Sequence, residues 1–186
     1  EGAHCSTGPS HRNSNLRQLY DRPMTLTVRP AVDADAEFLA QGNVAMAREA
    51  EHKQLDPAIV RPGVRAVLED PGKGRYFVAE RGGQVVGQLM VTYEWSDWRN
   101  GTFWWIQSVY VIPAARRAGV FRALFRHLET LAEGDRSICG IRLYVERENE
   151  RAQATYRRCG LEDGGYRVME VDYSGAVQPA RGANHA

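Results

Sequence analysis

Residues 109–122 read VYVIPAARRAGVFR, and this stretch decides how the rest of the chain is interpreted. Its β-branched and aromatic beginning is typical of a strand, which ends at Pro113. A basic pair and Gly119 follow, and apolar residues with a helical period begin at Val120. The start of a helix carries unpaired backbone N–H groups and the positive end of the helix dipole. A strand that leads through such a loop into a helix is therefore typical of an α/β domain with an anion site.

Three arginines strengthen the interpretation of this loop as a phosphate site. Arg116, Arg117 and Arg122 supply positive charge, and Gly119 lets the backbone turn tightly and approach a ligand. Together these features predict that residues 116–122 hold a pyrophosphate. A simple helix entry with solvated arginines is the alternative interpretation. The chain has no Walker Gly-Lys-Ser/Thr loop and no GxGxxG after its first strand, so these two nucleotide motifs are excluded.

The pattern on both sides of the loop predicts a mixed α/β (α+β) fold. Strands are predicted at residues 26–29, 76–79, 85–93, 102–112, 141–145 and 166–173. Helices are predicted after a cap at Asp33 or Asp35 (residues 38–47) and at residues 64–68, 120–133 and 152–158. Residues 49–62 are charged and contain two prolines, which predicts a loop. We expect one parallel β-α-β crossover in a mostly antiparallel sheet, with helices on both faces.

Composition limits the class of protein. The chain of 186 residues suits one domain, and a net charge of +1 indicates neither a nucleic-acid nor a membrane partner. No apolar run approaches the roughly 20 residues that cross a bilayer. Three widely spaced cysteines predict neither a disulfide framework nor a metal site, and a cytoplasmic location is expected. Residues 24–173 are expected to form the domain, with a flexible leader at 1–23 and a flexible tail at 174–186.

The motifs resemble those of the GNAT superfamily of N-acetyltransferases. The family carries Arg/Gln-x-x-Gly-x-Gly/Ala after the strand that precedes the loop, and Asn-x-x-Ala-x-x-x-Tyr-x-x-x-Gly later in the chain. The matching residues are Arg116, Gly119 and Phe121 in the first motif, and Asn149, Ala152, Tyr156 and Gly160 in the second. Phe121 departs from the family's Gly or Ala, and its side chain is expected to point into the core while the backbone binds.

The resemblance implies an acetyl-CoA-dependent N-acetyltransferase in which a primary amine attacks the thioester directly. Val109, Tyr110 and Val111 would pair with the pantetheine arm, and the N–H of Val111 would donate to the thioester carbonyl. Ordinary strand pairing is the alternative for these three residues. The residues implied to bind the cofactor are Val109, Tyr110, Val111, Arg116, Arg117, Ala118, Gly119, Val120, Phe121, Arg122, Asn149 and Tyr156.

Two further residue types are needed for the reaction, an acid and a base. Tyr156 matches the family's general acid, because a phenol stays protonated at neutral pH and can donate to a departing thiolate. The alternatives are a core tyrosine for Tyr156 and a helix N-cap for Asn149. The predicted strand 102–112 has no carboxylate, so the base remains open. The candidates are Glu94, Asp97, Glu49, Glu51 and His52, or a base that acts through water.

A cluster of aromatic and acidic residues indicates where the acceptor binds. All four tryptophans lie within residues 95–105, and strand alternation sends Trp104 and Trp105 to opposite faces. Trp98 and Trp105, with Glu94 and Asp97, would suit a cationic amine of a small molecule or a peptide. Sheet packing is the alternative for the tryptophans. A non-catalytic acyl-CoA sensor or interaction module is the alternative function, and a homodimer stays open.

Overall fold

The structure is a computed structural model that describes residues 25–50, 52–171 and 173, together with the backbone of Val177–Pro179. Its strands are β1 (Leu26–Pro30), β2 (Lys53–Leu55), β3 (Arg75–Arg81), β4 (Gln84–Ser96), β5 (Gly101–Val111), β6 (Ile138–Leu143) and β7 (Val177–Pro179). Its helices are α1 (Ala36–Ala50), α2 (Pro57–Glu69), α3 (Val120–Glu133) and α4 (Glu150–Arg157). Short 3₁₀ helices lie at Asp33–Asp35 and Pro113–Ala115.

Five strands form one mixed sheet in the order β1-β3-β4-β5-β6. Neighbours are antiparallel except β5 and β6, which are parallel and are connected through α3. This arrangement confirms the predicted fold class, including the single crossover. The β3–β4 hairpin turns through Gly82 and Gly83, whose φ angles of 59° and 77° fit a turn with two positive φ values. No helix in the described part of the chain is long and apolar enough to cross a bilayer.

Each face of the sheet is covered by helices, as expected. Helix α3 buries Leu124, Phe125 and Leu128 against the face that carries Phe77 and Leu89. Helices α1 and α2 cover the other face, where the cluster consists of Leu39, Ala40, Val64, Tyr76 and Val78. The apolar period that begins at Val120 is therefore the core-facing side of α3.

The prediction of a loop at residues 49–62 is wrong. This stretch contains the end of α1, the short strand β2 and the first half of α2, with Pro62 inside that helix. Asp56 caps α2, because its carboxylate accepts the N–H of Ala58 at 2.8 Å, and Pro57 occupies the first helical position, where proline is tolerated. Val64, which belongs to α2, is buried against α1 and the sheet. The burial of this side of α2 against the sheet outweighs the unfavourable effect of Pro62 on helix formation.

The predicted final strand at residues 166–173 is also wrong. The described part of this segment has no regular structure, and its large apolar side chains are exposed, Tyr166 by 84% and Met169 by 94%. The last strand in the described part of the chain is instead β7, which pairs with β2 outside the main sheet. Alternation of apolar and polar residues indicates that a segment could form a half-buried strand. It does not show whether a neighbouring strand is available for pairing. The error at β6 is smaller, because this strand begins at Ile138, three residues earlier than predicted.

Asp35 does not cap α1 in the expected manner. Its carboxylate receives two hydrogen bonds from the Arg29 guanidinium, at 2.7 and 3.0 Å, and one from the N–H of Val32. Arg29 also donates to Glu80 on the neighbouring strand. The Arg29 guanidinium lowers the pKa of Asp35 despite the burial of that carboxyl group. The ion pairs of Arg29 therefore connect β1 to β3 and to the start of α1.

Candidate active site

The outer edge of β5 is open along its last residues. Pairing with β6 ends at Ile106 and Leu143, whereas β5 continues to Val111. The N–H of Ile112 donates to Val86 of β4 at 3.1 Å, so the carbonyl of Val111 points away from β4. The N–H and C=O of one strand residue point to the same side. Val111, and Val109 two residues earlier, therefore direct their backbone groups towards the open edge.

This geometry divides the three strand residues implied to bind the pantetheine arm. Val109 and Val111 direct backbone groups to the open edge, where the Val111 carbonyl already accepts the Nε–H of Arg116. Tyr110 is paired with Gln88 and turns its backbone towards β4. Only its ring is available to the surroundings, and the guanidinium of Arg116 lies 5.7 Å from that ring.

A bulge at Gln107 marks the point where the edge opens. Met90 is paired with Ser108 and Val91 with Ile106, so Gln107 is an extra residue in β5. A bulge bends its strand and interrupts pairing. Gln107 is exposed, and its side chain donates to the Thr92 hydroxyl at 2.8 Å. The only local signal for it in the sequence is one polar amide within an aromatic and β-branched strand.

The loop after β5 has the conformation expected of an anion site. Gly119 precedes α3 with a φ of 78°, in the left-handed region that glycine adopts without strain. The first intrahelical bond runs from Ala123 to Gly119. The N–H groups of Val120, Phe121 and Arg122 therefore lack a partner earlier in the helix and point out of its N-terminus. Residues 117–119 are exposed, so this end of α3 is open to a ligand.

The three arginines of the loop do not share one role. Arg117 and Arg122 are exposed. Arg116 instead folds back: its Nε donates to the Val111 carbonyl at 2.9 Å, and its Nη2 lies 2.6 Å from the Glu49 carboxylate at the end of α1. The charge of Arg116 is thus largely neutralised within the protein.

Arg81 is a cation near the loop that sequence reasoning missed. It ends β3, and its Nη2 donates to the carbonyl of Ala118 at 3.3 Å. Thirty-seven residues separate the two positions, so no local pattern signals the contact.

Tyr156 lies on α4, which Asn149 caps. The Asn149 side chain accepts the N–H of Ala152 at 3.0 Å, which is the helix-cap alternative considered above. The Tyr156 ring meets the Phe121 ring edge-to-face, with centroids 5.2 Å apart and planes at 63°. Burial raises the pKa of the Tyr156 phenol above its usual range. The group therefore holds its proton at neutral pH, as a general acid must.

The candidate carboxylates are distributed over three places. Glu94 on β4 is half-exposed and accepts a 2.6 Å ion-paired hydrogen bond from Arg142 on β6. Glu49 is bound to Arg116, and Asp97 accepts the N–H of Trp98 in the β4–β5 turn. His52 is exposed and Glu51 lies outside the described residues.

Glu94 and Trp105 share the sheet face towards α1 and α2. Glu94 is paired with Phe103, and Trp105 follows two residues along β5. The Trp105 ring packs on Tyr144 with centroids 4.6 Å apart, and Arg142 lies near both Trp105 and Phe103. Trp104 is buried on the opposite face, which confirms the predicted alternation. Trp98 is 87% exposed at the tip of the turn, so the structure places it and Asp97 outside this group.

Comparison with known proteins identifies relatives of this chain. Residues 38–161 match a family model described as the acetyltransferase (GNAT) family. A mycothiol acetyltransferase from Mycolicibacterium gilvum (strain PYR-GCK) is 30% identical over 134 residues, which cover 69% of this chain and 42% of that relative. The chain therefore spans less than half the length of the curated relative.

Solved structures share the fold. A possible acetyltransferase from Clostridium difficile 630 is 44% identical, with a TM-score of 0.74, over 79% of this chain and 97% of the other. An aminoglycoside N-acetyltransferase in complex with CoA has a TM-score of 0.68 at 12% identity, over 82% of this chain and 98% of the other. At such low identity, the second likeness concerns the fold alone.

Proposed function

The chain belongs to the GNAT acetyltransferase family, and on this premise we propose that it is an acetyl-CoA-dependent N-acetyltransferase acting on a primary amine. One observation carries the proposal: the open edge of β5 leads directly to the exposed N-terminus of α3. An extended pantetheine arm needs backbone partners along a strand, and a pyrophosphate needs N–H donors at its end. The two requirements meet at residues 109–122.

Acetyl-CoA is the proposed cofactor. Its pyrophosphate would accept from the free N–H groups at the start of α3, with Arg117 and Arg122 adding positive charge. Its pantetheine arm would pair with the backbone of Val109 and Val111. The N–H of Val111 would then donate to the thioester oxygen, and this bond would strengthen as negative charge develops during attack.

Tyr156 is proposed as the general acid. The neutral amine would attack the thioester carbon, the carbon–sulfur bond would break, and the phenol proton would pass to the departing sulfur of CoA. The attacking nitrogen would lose one proton to solvent or to a base, and the Tyr156 phenolate would take one proton back from solvent. The raised pKa of Tyr156 supports this assignment, because an acid that was ionised before the step could not donate.

The acceptor is proposed to bind beside Glu94 and Trp105. A carboxylate and an indole on one sheet face suit a compact cationic amine. Glu94 is engaged by Arg142 at 2.6 Å, so it is better suited to attract the acceptor than to serve as a strong base. Water is therefore the proposed proton acceptor. One relative, at 30% identity, is a mycothiol acetyltransferase, which favours a small molecule over a peptide as the acceptor.

A non-catalytic acyl-CoA-binding module is the second candidate function. Two observations favour it: β5 carries no carboxylate, and Glu94 is paired with Arg142. Incubation with acetyl-CoA and a panel of small amines, followed by assay of free CoA thiol, separates the two functions. Amine-dependent thiol release supports the enzyme. Tight binding of acetyl-CoA without release for any amine supports the binding module.

A further inference from the structure

Phe121 belongs to the proposed cofactor loop and contacts the proposed acid, Tyr156. Its backbone belongs to the first turn of α3, where N–H groups point towards the ligand. Its ring lies between two others: the Tyr156 ring at a centroid distance of 5.2 Å and the Phe125 ring at 5.8 Å. The side chain therefore packs between helices α3 and α4 and is available to orient a neighbour.

Helix α4 has few other attachments that could fix Tyr156. None of its eight residues is fully buried, and Tyr156 is half-buried. After the helix, Cys159 and Leu161 pack at the margin of the main core. No side-chain hydrogen bond to the Tyr156 hydroxyl is found among the described residues, so the direction of this ring depends on packing. The edge-to-face contact with Phe121 is the specific ring contact that sets it.

We infer that Phe121 is a positioning residue, which holds the ring of Tyr156 so that its hydroxyl is directed at the sulfur of CoA. The inference rests on the proposed function. Phe121 also links the two halves of the site, because its backbone lies in the phosphate loop and its ring lies against the acid. A displacement of a reacting group by about 1 Å can reduce the rate by about 10²-fold. Loss of the Phe121 ring should therefore impair the chemical step.

This explains why an aromatic residue is compatible with a position where the family prefers Gly or Ala. Phosphate binding at a helix start uses backbone N–H groups, which any residue supplies. The side chain of Phe121 packs on Phe125 and Tyr156, away from that function. The Phe121 ring then provides the surface against which Tyr156 of α4 packs.

The test is a double-mutant cycle on Phe121 and Tyr156, measured as kcat for amine-dependent CoA release and as Kd for acetyl-CoA. Phe121→Leu removes the ring and should lower kcat by about 10–100-fold, with Kd for acetyl-CoA changed less than about threefold. Phe121→Tyr keeps the ring and should restore kcat. In a Tyr156→Phe background, Phe121→Leu should cause little further loss, because the acid that it positions is already absent.

Phe125→Leu is the matched control. Phe125 is buried and touches Phe121, and no ring contact joins it to Tyr156 in the described part of the chain. It should lower the melting temperature at least as much as Phe121→Leu while leaving kcat nearly unchanged. If Phe121→Leu is too unstable to assay, Phe121→Met, whose flexible side chain adapts to irregular gaps, takes its place.

The results separate this inference from the proposed function. Equal loss of kcat in Phe125→Leu and Phe121→Leu, or a full further loss in the Tyr156→Phe background, would overturn the positioning role. The same holds if Phe121→Leu is as active as wild type while Tyr156→Phe is impaired, and the proposed function then stands. If Tyr156→Phe itself retains full kcat, the assignment of the acid fails first, and this inference fails with it.

Discussion

The Nε–H of Arg116 donates to the carbonyl oxygen of Val111 at 2.9 Å, so the first arginine of the loop is tied to the strand before it. The Glu49 carboxylate binds the same guanidinium at 2.6 Å and joins α1 to this pair. The position that matches the family's basic residue thus organises the junction between β5, the loop and α1. Its charge is directed into the protein more than towards the proposed phosphate site.

We predict that the charge of Arg122 contributes more to acetyl-CoA affinity than the charge of Arg116 does. Arg122→Gln removes an exposed cation beside the start of α3 and should weaken binding by about 2–5-fold, the range of an exposed charge interaction. The double variant Glu49→Gln/Arg116→Gln removes a neutralised pair and should change the affinity less. Isothermal titration at two salt concentrations measures both. A larger loss in the double variant, abolished by high salt, would contradict the assignment.

Gly119→Asp should abolish the rise in melting temperature that acetyl-CoA causes in the wild type. A ligand that binds only the native state stabilises it, and a carboxylate at this position repels the pyrophosphate. Gly119→Asn is the matched control, because asparagine has nearly the same shape, carries no charge and tolerates the positive φ of 78°. It should retain part of the shift.

A second control is Gly165→Asp, which introduces the same charge at a glycine with φ of 73° in open surroundings. It should retain the full shift. A folded Gly119→Asp variant with an unchanged shift would place the phosphate site elsewhere.

The proposed acceptor site predicts opposite effects of two substitutions. Glu94→Gln should raise the KM for a cationic amine by about 2–5-fold, because an attractive charge is lost. Arg142→Gln should lower that KM, because it removes a cation 2.6 Å from Glu94 and frees the carboxylate. The KM for acetyl-CoA should change in neither. Changes of the same sign in both variants would show that only the pairing of these residues matters.

The turn residues are proposed as the outer rim of the acceptor site. Asp97→Asn combined with Trp98→Ala should raise the acceptor KM, but less than Glu94→Gln does, since Trp98 lies 87% exposed at the tip of the turn, outside the group formed by Glu94 and Trp105. Initial rates over a range of amine concentrations measure this. An unchanged KM would remove Asp97 and Trp98 from the site.

Asp35→Asn should lower the free energy of unfolding by about 2–4 kcal/mol, because it leaves the Arg29 guanidinium without its bidentate partner. Arg29 holds the pKa of Asp35 below its unfolded value. A lowered pKa contributes stability that is present above the unfolded pKa, near 3.9, and is lost as the pH falls through the folded pKa. Urea unfolding between pH 7 and pH 3 should therefore show a smaller decline for the variant than for the wild type.

Glu37→Gln provides the control, since it removes an exposed ion pair with Arg61 and should change stability little. Equal stability of Asp35→Asn and the wild type at pH 7 would contradict the role given to the Arg29–Asp35 pair.

Local signals in the sequence were sufficient for the elements around the loop. The strand, Gly119 and the apolar face from Val120 all describe short-range geometry, and the structure places β5 and α3 there. The Gly82-Gly83 turn was equally readable, because positive φ at two successive residues strongly favours glycine.

Features that depend on residues far apart in the chain could not be predicted from the sequence. The pairs Arg116–Glu49, Arg142–Glu94 and Arg81–Ala118 join residues 67, 48 and 37 positions apart. Residues 57–62 form helix because Val64 and its neighbours are buried against the sheet, which the prolines concealed. The alternation after Tyr166 predicted a strand, but the edge with which a strand pairs is a property of the whole fold.

The most direct test of the proposed activity is the rate of CoA thiol release by Tyr156→Phe and by the wild type, at saturating acetyl-CoA with the best amine from the panel. The substitution deletes one hydroxyl and keeps the ring that packs on Phe121. We predict amine-dependent release by the wild type and a kcat that is about 10²–10⁴-fold lower in the variant, with acetyl-CoA affinity little changed. Wild-type kcat in the variant, under conditions where chemistry limits the rate, would contradict the account.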